Sequence, residues 1–188
     1  MLSTASIERS FSLLLLDTTN NEEGWEYEVS TKLLAVLEKR GVTLVEARPL
    51  HVSSASQLYR HPESLAAASC IILLGSSNGA PDRFMGLWNG LSAHIEAPTI
   101  AVVCLWGTHP ESLTDAVLKL SPDWAPIALA QESDIAPRAG ALFLLKFITE
   151  LELHSDERMT GRMAWFAWKK AAELLKRRGL SAKFGLRA

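Results

Sequence analysis

Five short apolar runs, separated by segments with helical spacing, constrain the fold of this chain more than any other feature. The runs are FSLLLLD (11–17), VTLVEARPL (42–50), CIILLGSSNGAP (70–81), TIAVVCLW (99–106) and APIALAQE (125–132). Most are apolar at consecutive positions rather than at every second one, which is typical of strands buried on both faces. Such strands alternating with helices predict an α/β fold, a three-layer sandwich with a mostly parallel central sheet.

The intervening segments predict helices whose ends carry recognisable signals. Gly41 and Gly179 are predicted to end helices, and Pro110 and Pro137 to lie near helix starts. The sequence indicates one domain over residues 1–188, with a core at about 11–151. A C-terminal helix is expected over 155–179, starting at Ser155 or Asp156, and the tail 180–188 could add an edge strand.

Composition excludes several classes of protein. The 188 residues carry a net charge of −2, whereas a nucleic-acid-binding domain is usually basic. Cys70 and Cys104 are the only cysteines, and no C-x-x-C spacing occurs, so neither a disulfide framework nor a metal site is expected. The leucine run near the N-terminus is too short for a signal peptide or a membrane span, which predicts a cytoplasmic protein without membrane contacts.

The predicted carboxyl ends of the parallel strands are the expected location of a site, because ligands bind there in α/β sheets. The loop after the third run is rich in small polar residues, namely Ser76, Ser77, Asn78 and Gly79. Its backbone amides could hold a phosphate, although it lacks the G-x-G-x-x-G pattern and also fits an ordinary turn.

The fourth run continues into a loop as IAVVCLWGTH, and its candidate residues are Cys104, Trp106, Gly107, Thr108 and His109. A thiol embedded in an apolar strand is usually packed in the core. A displaced Cys104–His109 pair, acting as nucleophile and base, remains the alternative.

The segment PIALAQESDIAPRAGALFLLKFITEL (126–151) resembles the CHAT domain, which has the caspase-like, separase-related peptidase fold. CHAT domains have here a strand of the type PAVVAMQ, a polar turn and a helix beginning A-x-x-F. The residues that fit are Pro126, Ala128, Ala130, Gln131, Asp134, Ala139 and Phe143. The resemblance extends over roughly residues 11–175.

The resemblance also implies where a catalytic dyad would lie. The family histidine ends the third strand in a motif like HFSGHG, whose final H-G matches Asn78-Gly79 in the segment LLGSSNG, so Asn78 takes the place of the histidine. The family cysteine ends the next strand in a motif like VVLNACESG, and the matching segment AVVCLWGTH has Trp106 in the place of the cysteine. Neither side chain can perform its step, so the resemblance implies a pseudo-peptidase without catalytic residues or cofactors. Such a domain would act as a protein-interaction or regulatory module, with a protein partner or fused domain and possible homo-oligomers.

Two other functions remain open at this point: an active cysteine peptidase using Cys104 and His109, and a nucleotide- or phosphate-binding module of flavodoxin-like or TIR-like topology. The predicted C-terminal helix also carries Lys169, Lys170, Lys176, Arg177 and Arg178, with Trp165 and Trp168. This basic patch is either a solvated helix end or a surface for docking a partner.

Overall fold

The computed structural model describes residues 11–18, 25–76, 81–94, 96, 98, 100–107, 110–120, 124, 126–132, 137–154, 161–180 and 184–187. Its strands are β1 Ser12–Asp17, β2 Thr43–Leu44, β3 Leu50–His51, β4 Cys70–Ser76, β5 Ile100–Gly107, β6 Ile127–Glu132 and β7 Gly185–Arg187. Its helices are α1 Trp25–Lys39, α2 Ala55–Leu58, α3 Pro62–Ala67, α4 Pro81–His94, α5 Pro110–Leu120, α6 Pro137–Leu153 and α7 Gly161–Arg177.

The strands form one seven-stranded sheet with a parallel centre. β1 pairs on one side with both β2 and β3, and on the other side with β4, which is followed by β5 and β6. These pairings are all parallel, while β7 joins β6 antiparallel at the edge. The predicted α/β fold with a mostly parallel central sheet is therefore confirmed.

The second predicted strand, over residues 42–50, is shorter than expected. Only its two ends pair with β1, as β2 and β3, and residues 45–48 bend between them. Pro49 follows the bend and has no backbone N–H to donate, so a continuous ladder would lose a hydrogen bond at that position. An interrupted edge strand is the result.

Helices cover both faces of the sheet, as the continuous apolar runs predict. Alternate side chains of the strands, such as Leu15 and Cys104, pack with α1, α6 and α7. The intervening side chains, such as Leu16 and Leu105, pack with the layer of α2 to α5. Each strand thus contributes to two separate hydrophobic cores.

The predicted helix ends agree with the backbone. Gly41 and Gly179 have positive φ angles of 90° and 64°, a conformation that favours glycine and ends a helix. The helices α5 and α6 start at Pro110 and Pro137. α7 is described only from Gly161 onward, and its predicted capping residues, Ser155 and Asp156, lie outside the described part of the chain.

The C-terminal tail contributes an edge strand, as the sequence indicated. The indole Nε1 of Trp168 in α7 donates a hydrogen bond of 2.6 Å to the carbonyl oxygen of Phe184, just before β7. Arg187 of β7 forms ion pairs with Asp115 and Glu111 of α5. Among the helices that the structure describes, none has the length and apolar character needed to span a bilayer.

Candidate functional site

The connection order of the sheet identifies where a ligand would bind. If β2 and β3 are counted as one interrupted strand, the order of the parallel strands is the doubly wound order 2-1-3-4-5. The chain leaves β1 toward one edge and returns to β4 on the other side, so the switch point lies between β1 and β4. Ligands of such sheets bind in the crevice outside the carboxyl ends at this point, which here is next to Asp17 and Ser76.

Three residues at the carboxyl ends of neighbouring strands form a row. Ser76 of β4 is in register with Trp106 of β5, which is in register with Gln131 of β6. In parallel strands, residues in register point to the same face of the sheet, here the face covered by α1, α6 and α7. The structure thus brings the predicted residues Ser76 and Trp106 onto adjacent strands.

Trp106 is more deeply buried than a residue filling an open cleft would be. Its side chain is 3% exposed and belongs to the core that packs against α1, α6 and α7. The indole therefore lies below the strand ends and presents little surface to a ligand.

Cys104 lies in the interior of β5, in register with Leu74 and Leu129, and is 0% exposed. Desolvation by this burial raises the pKa of its thiol to about 12. At pH 7 only about one thiol in 100,000 would then be ionised, whereas the thiolate is the nucleophilic form. Burial also raises the pKa of Cys70, so neither thiol has the environment of a reactive cysteine.

Gly107 ends β5 with a φ of 117°, in the region where other residues are strained. Gly107 is still in register with Glu132 of β6, so this conformation falls on the last paired residue of β5. The next predicted site residues, Thr108 and His109, lie outside the described residues. So do Ser77, Asn78 and Gly79 of the loop after β4, and their roles stay predictions.

Gly75 determines how closely α4 approaches the sheet. A Cβ atom on Gly75 would lie 2.7 Å from Cδ2 of Phe84 in α4 and 2.9 Å from Cδ2 of Leu105 in β5. These separations are well below a normal carbon–carbon contact of about 3.5–4.0 Å. Glycine is thus required just before Ser76 for α4 to pack against the sheet.

Asp17 and His51 form a polar pair that the sequence did not reveal. Asp17 ends β1, is fully buried and is in register with His51 of β3. The Nδ1 atom of His51 lies 3.6 Å from Oδ2 of Asp17. The only sequence signal for Asp17 was its position as an acidic residue directly after four leucines.

Thr18, the residue that follows β1, is hydrogen-bonded to β4. Both the backbone N–H and the hydroxyl of Thr18 donate to the carbonyl oxygen of Leu74, at 3.0 and 2.8 Å. The buried carboxylate of Asp17 is therefore held at the switch point by a residue anchored to the neighbouring strand. A negative charge here disfavours anionic ligands on this side of the crevice.

Gln131 is the other buried polar residue of this edge. It is 6% exposed, and its side-chain carbonyl oxygen Oε1 has no hydrogen-bond partner among the described residues. A buried acceptor without a partner costs free energy and is satisfied by any ligand that brings an N–H or O–H group. The sequence pointed to Gln131 only through the CHAT resemblance, without a role in binding.

The described residues contain no group of three or more His, Cys, Asp or Glu side chains that could hold a metal ion.

The sheet and its two helical layers define a doubly wound α/β domain with an added antiparallel edge strand. No protein-family model matches the sequence, and no curated protein is similar to it at a level that indicates common ancestry.

Proposed function

We propose that this chain is a CHAT-like domain of caspase-like fold that has no peptidase activity and acts by binding a protein partner. Two positions of β5 carry the proposal: that of Cys104, the only candidate thiol there, and the strand end where the resemblance places the family cysteine. Cys104 is buried inside β5, and Trp106 occupies the strand end to which the resemblance assigns the catalytic cysteine.

A cysteine nucleophile needs access to its substrate, a thiolate and an adjacent base. The 0% exposure of Cys104 removes the access, and its pKa of about 12 removes the thiolate at neutral pH. The indole of Trp106 cannot replace it, because its nitrogen is a hydrogen-bond donor and not a nucleophile. Hydrolysis through Cys104 would require β5 to leave the sheet.

The edge of the sheet retains what a binding site requires. Gln131 on β6 offers a buried acceptor, and Ser76 on β4 lies beside the switch point, both at the carboxyl ends of the parallel strands. An extended peptide has backbone N–H groups that could satisfy Gln131 Oε1. Binding without bond cleavage is therefore the function that these residues favour.

Alkylation of Cys104 tests the proposal. In a Cys70→Ala background, iodoacetamide at pH 7.5 should leave the folded chain unmodified and label Cys104 only after unfolding in urea, as measured by intact mass. The folded chain should also fail to cleave a fluorogenic peptide library. Rapid labelling in the folded state, with peptide cleavage that disappears in Cys104→Ser, would contradict the proposal.

A nucleotide- or phosphate-binding module is the second candidate, since the order 2-1-3-4-5 is shared with flavodoxin-like proteins. The buried carboxylate of Asp17 at the same edge counts against an anionic ligand. A ligand at ten times its Kd would stabilise the fold by about 1.4 kcal/mol, or roughly 3–6 °C for a domain of this size. Inorganic phosphate, ATP and FMN at 1 mM should produce no such shift if the first proposal holds.

A further inference from the structure

The outward face of α7 carries aromatic and basic side chains in close succession. Trp165 is 49% exposed and Phe166 is 39% exposed, and they are followed one turn later by Lys169 and Lys170. Arg162 lies one turn before them and is also exposed. Residues three and four apart share a helix face, so these five side chains form one strip, the aromatic–basic stripe.

The side chains of the stripe contact one another. The Lys169 ammonium lies 5.0 Å from the centre of the Trp165 ring, and the Lys170 ammonium lies 5.2 Å from that of Phe166. These distances are within the range of cation–π attraction. The cations and rings therefore form a single surface, in which apolar area and positive charge are interleaved.

The neighbouring end of α6 extends this surface. The ring of His154 contacts Phe166 edge-on, with 5.9 Å between the ring centres. Leu153, the last residue of α6, is 69% exposed. Exposed apolar side chains are common singly, but Trp165 and Phe166 are adjacent on α7, and the ring that Phe166 contacts belongs to the residue next to Leu153.

The fold does not need these aromatic side chains for its core. The opposite face of α7, with Ala164, Ala167, Ala171 and Leu175, is buried against the sheet side of the molecule and α6. Trp165 and Phe166 lie outside this packed face. The exposed surface of these two rings is therefore available for contact with another molecule.

Charge is concentrated on the same helix. α7 contains Arg162, Lys169, Lys170, Lys176 and Arg177 against the single acid Glu173, a net charge of +4 within a chain of net charge −2. The helix dipole accounts for cations in the last turn only. Arg162, Lys169 and Lys170 all lie before that turn, so the dipole does not account for them.

We propose that the aromatic–basic stripe, together with Leu153, is the docking surface for an acidic protein segment that carries apolar side chains. Carboxylates of the segment pair with Arg162, Lys169 and Lys170, and its apolar side chains cover Trp165 and Phe166. This inference rests on the proposed binding function and gives the partner its chemistry.

Two other classes of partner fit the surface less well. A helix that inserts into an anionic membrane uses its full apolar face, and in α7 that face is packed inside the fold. Single-stranded nucleic acid stacks its bases on open aromatic faces, and here the ammonium groups of Lys169 and Lys170 lie over those faces. Binding to anionic vesicles and to single-stranded DNA is therefore measured alongside peptide binding in the test.

Fluorescence anisotropy with the labelled peptide DEFDELDE tests the docking surface directly. The folded chain should bind it, and should bind DESDESDE, which lacks the apolar residues, at least tenfold more weakly. The double variants Lys169→Glu/Lys170→Glu and Trp165→Ala/Phe166→Ala should each weaken binding of DEFDELDE at least tenfold. Far-UV circular dichroism checks that these surface variants keep the fold.

A matched control reverses two adjacent exposed cations at the C-terminal end of α1, Lys39 and the following Arg40, in Lys39→Glu/Arg40→Glu, and this variant should bind as the parent does. Absence of binding by the parent, or equal binding by the stripe variants, overturns the inference. Tighter binding to vesicles containing phosphatidylserine or to oligo-dT than to DEFDELDE overturns it as well. A negative result in the peptide-binding test does not change the expected protection of Cys104 from alkylation. The docking surface and the proposed lack of peptidase activity can therefore be refuted independently.

Discussion

Two glycines of α4, one turn apart, are predicted to respond in opposite ways to the same substitution by alanine. Gly90 faces α2, and a Cβ atom on it would lie 2.7 Å from Cβ of Ala55 and 3.6 Å from the hydroxyl oxygen of Tyr59. A Cβ atom on Gly86 would have no neighbour within 4 Å among the described residues. The pair therefore separates the packing effect of a methyl group from its effect on helix propensity.

The expected magnitudes come from these two contributions. Replacing glycine by alanine inside an exposed helix gains about 1 kcal/mol, so Gly86→Ala should stabilise the fold by up to that amount. At Gly90 the same gain is opposed by an overlap of about 1 Å with a carbon atom that normally lies at about 3.5–4.0 Å. Overpacking of this kind costs roughly 1–3 kcal/mol, which leaves Gly90→Ala neutral to destabilised by about 2 kcal/mol.

Urea denaturation followed by far-UV circular dichroism measures the difference between the two variants. We expect the free energy of unfolding of Gly86→Ala to exceed that of Gly90→Ala by about 1–3 kcal/mol, or roughly 2–12 °C in Tm. Adding Ala55→Gly removes the overlapping methyl group and should restore much of the loss in Gly90→Ala. The coupling is read from the double-mutant cycle, since Ala55→Gly has its own cost in α2.

Two results would refute the reasoning. Equal stability of Gly86→Ala and Gly90→Ala would mean that α2 moves away from α4 without cost. An Ala55→Gly change that destabilises the parent and Gly90→Ala equally would mean that the two methyl positions do not interact.

Two further predictions concern the core and the pH dependence of stability. Gly75→Ala places a methyl group within 3 Å of Phe84 and Leu105, and should cost about 1–3 kcal/mol by urea denaturation. In a double-mutant cycle this cost should be smaller in a Leu105→Ala background than in the parent, and an equal cost in both would contradict the overlap. Desolvation raises the pKa of Glu152 above its ordinary value of 4.5, so the folded state is penalised once this group ionises. Glu152→Gln should therefore stabilise the fold at pH 7 but not below pH 4, and a gain of equal size at both pH values would contradict this.

The strand runs allowed the layers of the fold to be predicted because burial on both faces leaves a continuous apolar signature. FSLLLLD and IAVVCLW carry side chains for two cores at once, which only a sheet covered on both faces requires. The split of the second strand was missed, because pairing with β1 depends on local geometry around Pro49 and not on the apolar pattern of residues 42–50.

The candidate site was predictable only in part, for a related reason. The alternation of side chains along a strand predicts that Cys104 and Trp106 lie on one face of the sheet. It does not predict which residues of the other strands lie beside them. Asp17 and His51 are 34 positions apart in the chain, and they meet only because both are in register at the edge of β1. Contacts of this kind follow from strand order, which the periodicity of a single sequence does not determine.

The small side chains of α7 connect the fold to the proposed docking surface. Ala164, Ala167 and Ala171 occupy the face that packs against α6, and none of the helix's aromatic residues lies among them. Trp168 is partly buried and donates to Phe184, so this indole serves the attachment of β7. Trp165 and Phe166 have no such structural task, and their rings instead carry the ammonium groups of Lys169 and Lys170 at the surface. A helix that packs through alanines, Leu175 and Trp168, yet exposes two further aromatic rings beside cations, is best explained by contact with an acidic and partly apolar partner.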